Sequence, residues 1–159
     1  MLALVQRVSS AQVEVDDVLV GRIGRGLLVY LGVGQADAPG EAGKLAEKIH
    51  GLRIFEDDGG DMNLSVQDVQ GDVLVVPNFT LMADARKGRR PSFAAAARPQ
   101  QAEPIYDELV AALKSFGGHV ACGAFGKHMT IRSVADGPVN IIVEFPPGQA
   151  QPGRSGDTA

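Results

Sequence analysis

The chain has 159 residues, of which 45% are hydrophobic, and its formal net charge at pH 7 is −4. This length suits one domain that buries its own core, and the single cysteine excludes an intramolecular disulfide. The acidic balance argues against a protein that coats nucleic acid non-specifically. No apolar run approaches the roughly 18 residues of a membrane-spanning helix. The N-terminal residues lack the pattern of a secretion signal.

The first third of the chain has the β-branched, partly alternating pattern of strands. Strands are predicted over residues 4–8 and 12–15, and Asp16-Asp17 marks a turn before alternation resumes at residues 18–23. A hairpin is therefore expected over residues 12–23. Residues 27–33 form a nearly continuous apolar block between glycines, which predicts a central strand buried on both faces.

Two amphipathic helices are predicted further along the chain. The first is opened by Asp37 as N-cap, with Pro39 in its first turn. Its apolar residues recur at three- and four-residue steps: Ala42, Leu45, Ala46, Ile49 and Leu52. The second helix is expected from about residue 100 to residue 116, where two glycines stop it, and its apolar face comprises Ile105, Leu109, Ala112, Leu113 and Phe116.

The remaining apolar runs predict further strands at residues 53–55, 72–76, 120–122, 129–134 and 139–145. Strands outnumber helices, and the regular βαβ alternation of a doubly wound sheet is missing. We expect a single α+β domain over residues 1–145, in which mixed β-sheets form a barrel-like core with two main helices. Residues 146–159 are rich in Pro, Gly, Gln and Ser and are expected to form a disordered tail.

Standard catalytic motifs are absent from the sequence. Neither a phosphate-binding Gly-Lys-Ser/Thr loop nor a Gly-x-Ser-x-Gly elbow occurs, and the three histidines are too widely spaced for a zinc motif. The acidic loop at residues 57–61 lacks EF-hand spacing, and Cys122 lies in a strand pattern typical of a core residue. We therefore predict no metal and no organic cofactor.

Three segments have two interpretations each. Four cations lie within five positions, at Arg86, Lys87, Arg89 and Arg90, and they form either a solvated loop or a local anion site. The stretch Asn78-Phe79-Thr80-Leu81 follows a predicted strand, where it is either a plain strand end or part of a ligand crevice. Asp136-Gly137-Pro138 is either an ordinary tight turn or a site with a cis proline.

These segments resemble the signature regions of the D-aminoacyl-tRNA deacylase family. The resemblance rests on residues 78–81, Arg90-Pro91-Ser92-Phe93 and Asp136-Gly137-Pro138-Val139. Further matching stretches occur in the same order at residues 3–8, 26–29, 53–55 and 62–64. Each motif is short, but the ordered set extends from residue 1 to about residue 145.

The resemblance implies a cytoplasmic homodimer without a cofactor, which binds tRNA but neither DNA nor a membrane. Such an enzyme hydrolyses the ester between a D-amino acid and the 3′-terminal adenosine of tRNA, and also removes glycine mischarged on alanine tRNA. Gly137 and a cis Pro138 would enter the partner subunit's site. There their backbone would reject an L side chain by steric clash.

The resemblance also assigns roles to the other motif residues. Asn78, Phe79 and Thr80 would line the catalytic pocket, where backbone N–H groups stabilise the oxyanion and Thr80 positions the substrate without acting as nucleophile. Phe125 and Met129 would contact the terminal adenosine, although plain core packing is the alternative for both. The four residues of the basic cluster would contact tRNA phosphates.

The chain departs from the usual family pattern at four positions: Pro77, Asn78, Ala135 and Asn140. Pro77 removes a backbone donor, and Asn78 is one methylene shorter than the usual glutamine. Two rival functions therefore stay open. The chain could be an editor of small achiral or L-residues with relaxed chiral selectivity, or a tRNA-binding module without catalytic activity.

Overall fold

A computed structural model describes residues 1–145 of the chain. These residues form eight strands, two α-helices and one 3₁₀ helix. In chain order they are β1 (Leu2–Val15), β2 (Val18–Ile23), β3 (Gly26–Gly32), α1 (Ala42–His50), β4 (Phe55–Glu56), β5 (Met62–Leu64), β6 (Asp72–Pro77), the 3₁₀ helix (Phe79–Met82), α2 (Pro99–Ser115), β7 (Val120–Cys122) and β8 (Thr130–Glu144).

The main sheet is mixed and has the strand order β2-β1-β3-β6-β7, with β8 also paired to β1. Pairs β1/β2, β1/β3 and β1/β8 are antiparallel, whereas β3/β6 and β6/β7 are parallel. The sheet nearly closes on itself, since β2 and β7 lie close together. A Cβ atom added to Gly21 of β2 would lie only 2.7 Å from the carbonyl oxygen of Cys122 in β7. Strands β4 and β5 form a separate two-stranded sheet.

The sheet separates two hydrophobic cores, and the alternation of β3 shows how. Leu27, Val29 and Leu31 pack in the larger core, which also contains the buried faces of α1 and α2. Leu28 points to the opposite side, into a smaller core between β1, β2, β6 and β7. The strand is buried on both faces because each face meets its own core, as the apolar run predicts.

The structure confirms the predicted fold class, the two helices, the hairpin at Asp16-Asp17 and the central strand. Three boundary predictions are wrong. The two early strands are one continuous β1, and the two last strands are one continuous β8. Asp37 does not cap α1, whose N-cap residue is Glu41 without a side-chain capping bond. The predicted tail at 146–159 lies outside the described residues.

No helix among residues 1–145 combines the length and apolarity that a membrane crossing requires.

Candidate active site

A cavity of about 350 Å³ opens where the carboxyl ends of the parallel strands β3 and β6 meet the start of α2. Ligand crevices of α/β sheets commonly lie at this end of parallel strands, and the volume is within the range of small-molecule sites. Its wall is largely apolar. The residues that line it include Val33, Pro77, Asn78, Phe79, Ala97, Tyr106 and Phe125.

Asn78 fixes the chain where β6 gives way to the 3₁₀ helix. Its backbone N–H donates to the carbonyl of Leu31 at 2.8 Å, which ties it to β3. Its side-chain Oδ1 accepts from the N–H of Thr80 at 3.1 Å and also from the Thr80 hydroxyl. Asn78 therefore acts as the N-cap of the helix, the role for which asparagine is well suited.

Thr80 is exposed, and its hydroxyl is directed toward an amide oxygen that cannot accept its proton as a base. Activation of a threonine requires a neighbouring base, and none contacts this hydroxyl in residues 1–145. The thiol of Cys122 is no better activated, because burial raises its pKa. The described residues also contain no group of three or more His, Cys, Asp or Glu side chains arranged to hold a metal ion.

Phe79 presents an aromatic ring at the mouth of the cavity, with 60% of the residue exposed. Its ring meets that of Phe93 edge-on, with centroids 5.2 Å apart. The 3₁₀ helix packs closely against β3 because Gly32 of that strand has no side chain. A Cβ added to Gly32 would lie 3.0 Å from Leu81 and 3.2 Å from the carbonyl oxygen of Asn78. Phe79 and Phe93, which belong to different sequence motifs, are therefore in contact beside the cavity.

Phe125 and Met129 occupy different places. Phe125 lines the cavity, and its ring centroid is 6.0 Å from that of Tyr106. Met129 is not among the residues lining the cavity; it packs against the smaller core, and its sulfur accepts the N–H of Ala124 at 3.3 Å. Met129 therefore supports the loop that carries Phe125. The phenol of Tyr106 donates to the carbonyl of Val75 at 3.1 Å, and burial raises its pKa.

The basic cluster lies on a loop closed at its base by a bridge between Asp84 and Ser92, whose backbone groups exchange two hydrogen bonds of 2.8 Å. Arg86 is already engaged, because its guanidinium pairs with the Asp84 carboxylate. That pairing lowers the pKa of Asp84. Lys87, Arg89 and Arg90 are exposed and form no ion pair within the described part of the chain. The four cations are therefore not equivalent.

Gly137 and Pro138 form a bulge in β8 and do not line the cavity of their own chain. The register of β8 on β1 places Ala135 opposite Val8 and Asn140 opposite Gln6, so four residues of β8 face the single residue Arg7. The peptide bond between Gly137 and Pro138 is cis, and Gly137 has φ = +125°.

Arg7 holds this bulge, and sequence reasoning did not single it out. Its side chain is 5% exposed. Its Nη1 donates to the carbonyl of Ile54 at 2.7 Å, and its Nε lies 3.3 Å from the carbonyl oxygen and 3.2 Å from a carboxylate oxygen of Asp136. The sequence does contain an indication of this role, because Arg7 occupies the next position in the alternation of buried residues that Ala3 and Val5 begin in β1. A charged residue at a core-facing position of a strand indicates a fixed polar partner.

Comparison with known proteins gives one consistent result. A family model described as "D-Tyr-tRNA(Tyr) deacylase" matches residues 4–144. A D-aminoacyl-tRNA deacylase of Koribacter versatilis is 54% identical over 144 residues, which cover 91% of this chain and 97% of the relative. One of Symbiobacterium thermophilum is 51% identical over 142 residues, which cover 89% and 94%.

Solved structures share the fold. A chain described as c-Myc DNA Unwinding Element Binding Protein superposes with a TM-score of 0.86 at 38% identity, covering 92% of this chain and 99% of the other. A probable eukaryotic D-amino acid tRNA deacylase gives a TM-score of 0.71 at 20% identity, covering 89% and 97%. The second likeness concerns the fold alone.

Proposed function

The chain belongs to the D-Tyr-tRNA(Tyr) deacylase family, and from this premise we propose that it hydrolyses the ester that joins a D-amino acid to the 3′ end of tRNA. The observation that carries the proposal is the position of the family's Phe-Thr motif: Phe79 lines an apolar cavity, and Thr80 follows it in the 3₁₀ helix. Water adds to the ester carbonyl, the bond to the ribose oxygen breaks, and free tRNA and the amino acid leave. The substrate places this activity in the cytoplasm.

The cavity suits the terminal adenosine of such a substrate. Single-stranded RNA ends are recognised by stacking of unpaired bases on aromatic side chains, and Phe125 offers a ring beside Tyr106 inside an apolar wall. Phe79, at the mouth, then lies toward the ester. Met129 contributes indirectly, through its hydrogen bond with Ala124.

Backbone donors supply the stabilisation of the oxyanion in this proposal. Phe79 is the first residue of the 3₁₀ helix, and the first N–H groups of a helix have no acceptor within it. Asn78 takes the N–H of Thr80, which leaves the N–H of Phe79 for the developing negative charge. Donors held rigidly at such a position contribute about 3 kcal/mol to transition-state stabilisation. A hydroxyl of the RNA itself can assist the attack.

Thr80→Val, which replaces the hydroxyl with a methyl of similar size, is expected to keep kcat within about tenfold of the wild-type value, because no base activates this oxygen. Asn78→Ala should lower kcat/KM more, by about 10- to 100-fold, because it removes the cap that fixes Phe79. Single-turnover deacylation of D-tyrosyl-tRNA measures both. Complete loss of turnover in a folded Thr80→Val protein would instead make the hydroxyl the nucleophile.

Chiral selection is proposed to come from Gly137 and Pro138 of a second copy of the chain. Gly137 and Pro138 of the bulge are exposed, and neither lines the cavity of its own chain. A backbone wall there would clash with an L side chain while it accepts a D side chain or the hydrogen of glycine, so glycyl-tRNA mischarged on alanine tRNA is also proposed as a substrate.

A homodimer is part of this proposal, and exposed apolar residues support it. Val18, Leu19 and Val20 of β2 are 44–63% exposed, as are Val134 and Ile142 of β8 at 58% and 50%. Large apolar side chains exposed in clusters mark interaction surfaces. Sedimentation of the purified protein at micromolar concentration should give twice the mass of the 16.6 kDa chain.

The basic loop is proposed to contact tRNA phosphates through Lys87, Arg89 and Arg90. Their combined replacement by alanine should weaken tRNA binding and reduce the salt dependence of log Kd by about 1 for each phosphate that is no longer neutralised. Arg86→Ala is the matched control, because Asp84 already pairs with that charge, and it should change the salt slope least. Binding titrations at several salt concentrations decide the matter, and an unchanged slope in the triple variant would remove the loop from the interface.

The places of two departures from the usual motif favour a broader editor as a second candidate. Pro77 lines the cavity next to Asn78, and Asn140 accepts a hydrogen bond from Gln6 just beyond Pro138. These departures from the usual motif lie where they can alter selectivity. Comparing hydrolysis of glycyl-, L-alanyl- and D-alanyl-tRNA separates the candidates: rapid loss of the L-alanyl ester identifies the relaxed editor, and binding without any turnover identifies a binding module.

A further inference from the structure

Phe93 is one of the large apolar side chains that residues 1–145 leave exposed, with 39% of the residue accessible to solvent. Its ring meets the ring of Phe79, itself mostly exposed, at an interplanar angle of 63°. Neither residue packs in the two hydrophobic cores of the described chain, so their contact adds little burial. An edge-to-face pair has a preferred geometry, however, and it therefore fixes how one ring lies against the other.

The residue before Phe93 is anchored to the stretch of chain that carries Phe79. Ser92 exchanges with Asp84 the two hydrogen bonds that close the basic loop. Only Ala83 separates Asp84 from the end of the 3₁₀ helix, whose first residue is Phe79. The bridge therefore returns the chain to this helix and brings Phe93 beside it.

The residues after Phe93 are anchored to a different part of the fold, the segment just beyond β3. The carbonyl of Phe93 accepts the N–H of Ala96 at 3.0 Å, which closes a turn over residues 93–96. Gln35 holds this turn through two bonds, because its N–H donates to the carbonyl of Ala95 at 3.0 Å and its side-chain amide donates to that of Ala94 at 2.6 Å. The backbone of Phe93 is thus fixed on both sides.

The side chain of Phe79 needs such a support. The hydrogen bonds of Asn78 fix the backbone at the start of the 3₁₀ helix, but they do not restrict the Phe79 ring. An exposed aromatic side chain exchanges between staggered rotamers unless a neighbour holds it in one of them. Phe93 is the ring that contacts it. In the proposed reaction Phe79 lies toward the ester, so a displaced ring would misplace the substrate.

We propose that Phe93 is a positioning residue for ester hydrolysis: its ring, anchored through its backbone, holds Phe79 in one orientation at the mouth of the cavity. This inference rests on the proposed function and adds a residue that acts through Phe79. It also separates two roles within one segment. Lys87, Arg89 and Arg90 serve the phosphates, whereas Phe93, three positions beyond Arg90, serves the chemical step.

Phe93→Leu tests the inference, because it keeps an apolar side chain and removes the ring. We expect kcat for D-tyrosyl-tRNA to fall about 20-fold while KM stays within about twofold of the parent value. Phe93→Tyr, which keeps the ring, should retain kcat within about threefold. A loss in Phe93→Tyr as large as in Phe93→Leu, or a Phe93→Leu variant that changes KM alone, would overturn the inference.

Phe116→Leu is the matched control. It also removes a ring contact, with His50 at 4.7 Å between centroids, but it lies at the end of α2 opposite to the cavity. This variant should lose some stability and keep the kcat of the parent chain. An equal loss of kcat in Phe116→Leu and Phe93→Leu would show that Phe93 acts through general stability, against the inference.

A double variant shows whether Phe93 acts through Phe79. If it does, Phe79→Leu combined with Phe93→Leu should lose no more kcat than Phe79→Leu alone, because the second ring then has nothing to position. Two losses that multiply would mean that the rings act independently, and this would overturn the inference.

An ester without phosphates, 3′-O-(D-tyrosyl)adenosine, separates Phe93 from the basic loop. Phe93→Leu should lower its hydrolysis about 20-fold as well, because the residue serves the ester step. A defect of Phe93→Leu that is confined to tRNA esters would assign the residue to phosphate binding instead and contradict the positioning role.

Failure of this inference is distinguishable from failure of the proposed function. If the parent chain cleaves no D-aminoacyl ester, the Hα–Hβ scalar couplings of Phe79 still report its χ1 angle. They should indicate one rotamer in the parent chain and in Phe93→Tyr, and an average over rotamers in Phe93→Leu. A single Phe79 rotamer in Phe93→Leu would overturn the inference. Phe93→Met is a second variant without a ring, and loss of folding in both would make Phe93 a structural residue instead.

Discussion

Gly137→Ala is expected to lower the free energy of unfolding by about 2 kcal/mol and to reduce discrimination between D- and L-aminoacyl-tRNA by about 10- to 100-fold. The backbone at Gly137 has φ = +125°, a conformation that L side chains rarely adopt. An added Cβ would also lie 2.8 Å from Cγ2 and 2.9 Å from N of Val139. The backbone of the bulge therefore has to move, and the proposed chiral wall moves with it.

Urea unfolding and parallel deacylation of D- and L-tyrosyl-tRNA measure both effects. Gly60→Ala is the matched control, since Gly60 also has a positive φ of +84° but nothing lies within 4 Å of its added Cβ. That variant should lose stability through backbone strain while it keeps its chiral selectivity. If Gly137→Ala loses stability with unchanged D/L selectivity, the bulge is not the discriminating element.

Arg7→Met is expected to cost about 3 kcal/mol of stability and to relax chiral selectivity as well. The guanidinium lies where β1 faces the bulge, and its removal leaves the carbonyl of Ile54 and the carboxylate of Asp136 without this partner. A Cβ on Gly137 would lie 3.3 Å from Nη2 of Arg7, so the guanidinium supports that residue directly. Arg7→Lys should recover little, because a point charge cannot replace the planar fork.

The same unfolding and selectivity assays apply, with Arg132→Met as the control. Arg132 also pairs with a carboxylate, that of Glu14, but its side chain is 60% exposed. Water screens an exposed ion pair, so this variant should remain nearly as stable as the parent chain and equally selective. Comparable losses in both variants would show that Arg7 acts through general stability only.

The parts of the fold that follow from local pattern could be predicted from the sequence. The buried β3 follows from an uninterrupted apolar run, and the β1–β2 hairpin follows from Asp16-Asp17, both of which adopt positive φ. The continuity of β8 could not be predicted, because Asp136-Gly137-Pro138 breaks its alternation. Only pairing with β1 on both sides of the bulge joins the two halves.

Site features that depend on distant partners were missed for the same reason. Asp37 has the sequence context of a helix cap, but its carboxylate binds an amine 36 positions earlier in the chain. The four cations of the basic cluster look equivalent in the sequence, but in the structure Arg86 forms an ion pair with Asp84. The family resemblance selected the motif residues Asn78, Phe79 and Phe125, which the fold brings to one cavity. It did not indicate the contribution of Tyr106 or the support from Arg7.

Chirally selective ester hydrolysis is tested most directly by side-by-side deacylation of D-tyrosyl-tRNA and L-tyrosyl-tRNA by the purified protein with a chelator present. We expect rapid, enzyme-dependent loss of the D-ester alone, at a rate that the chelator does not change. Equal loss of both esters, or loss of neither, would be incompatible with a chirally selective deacylase.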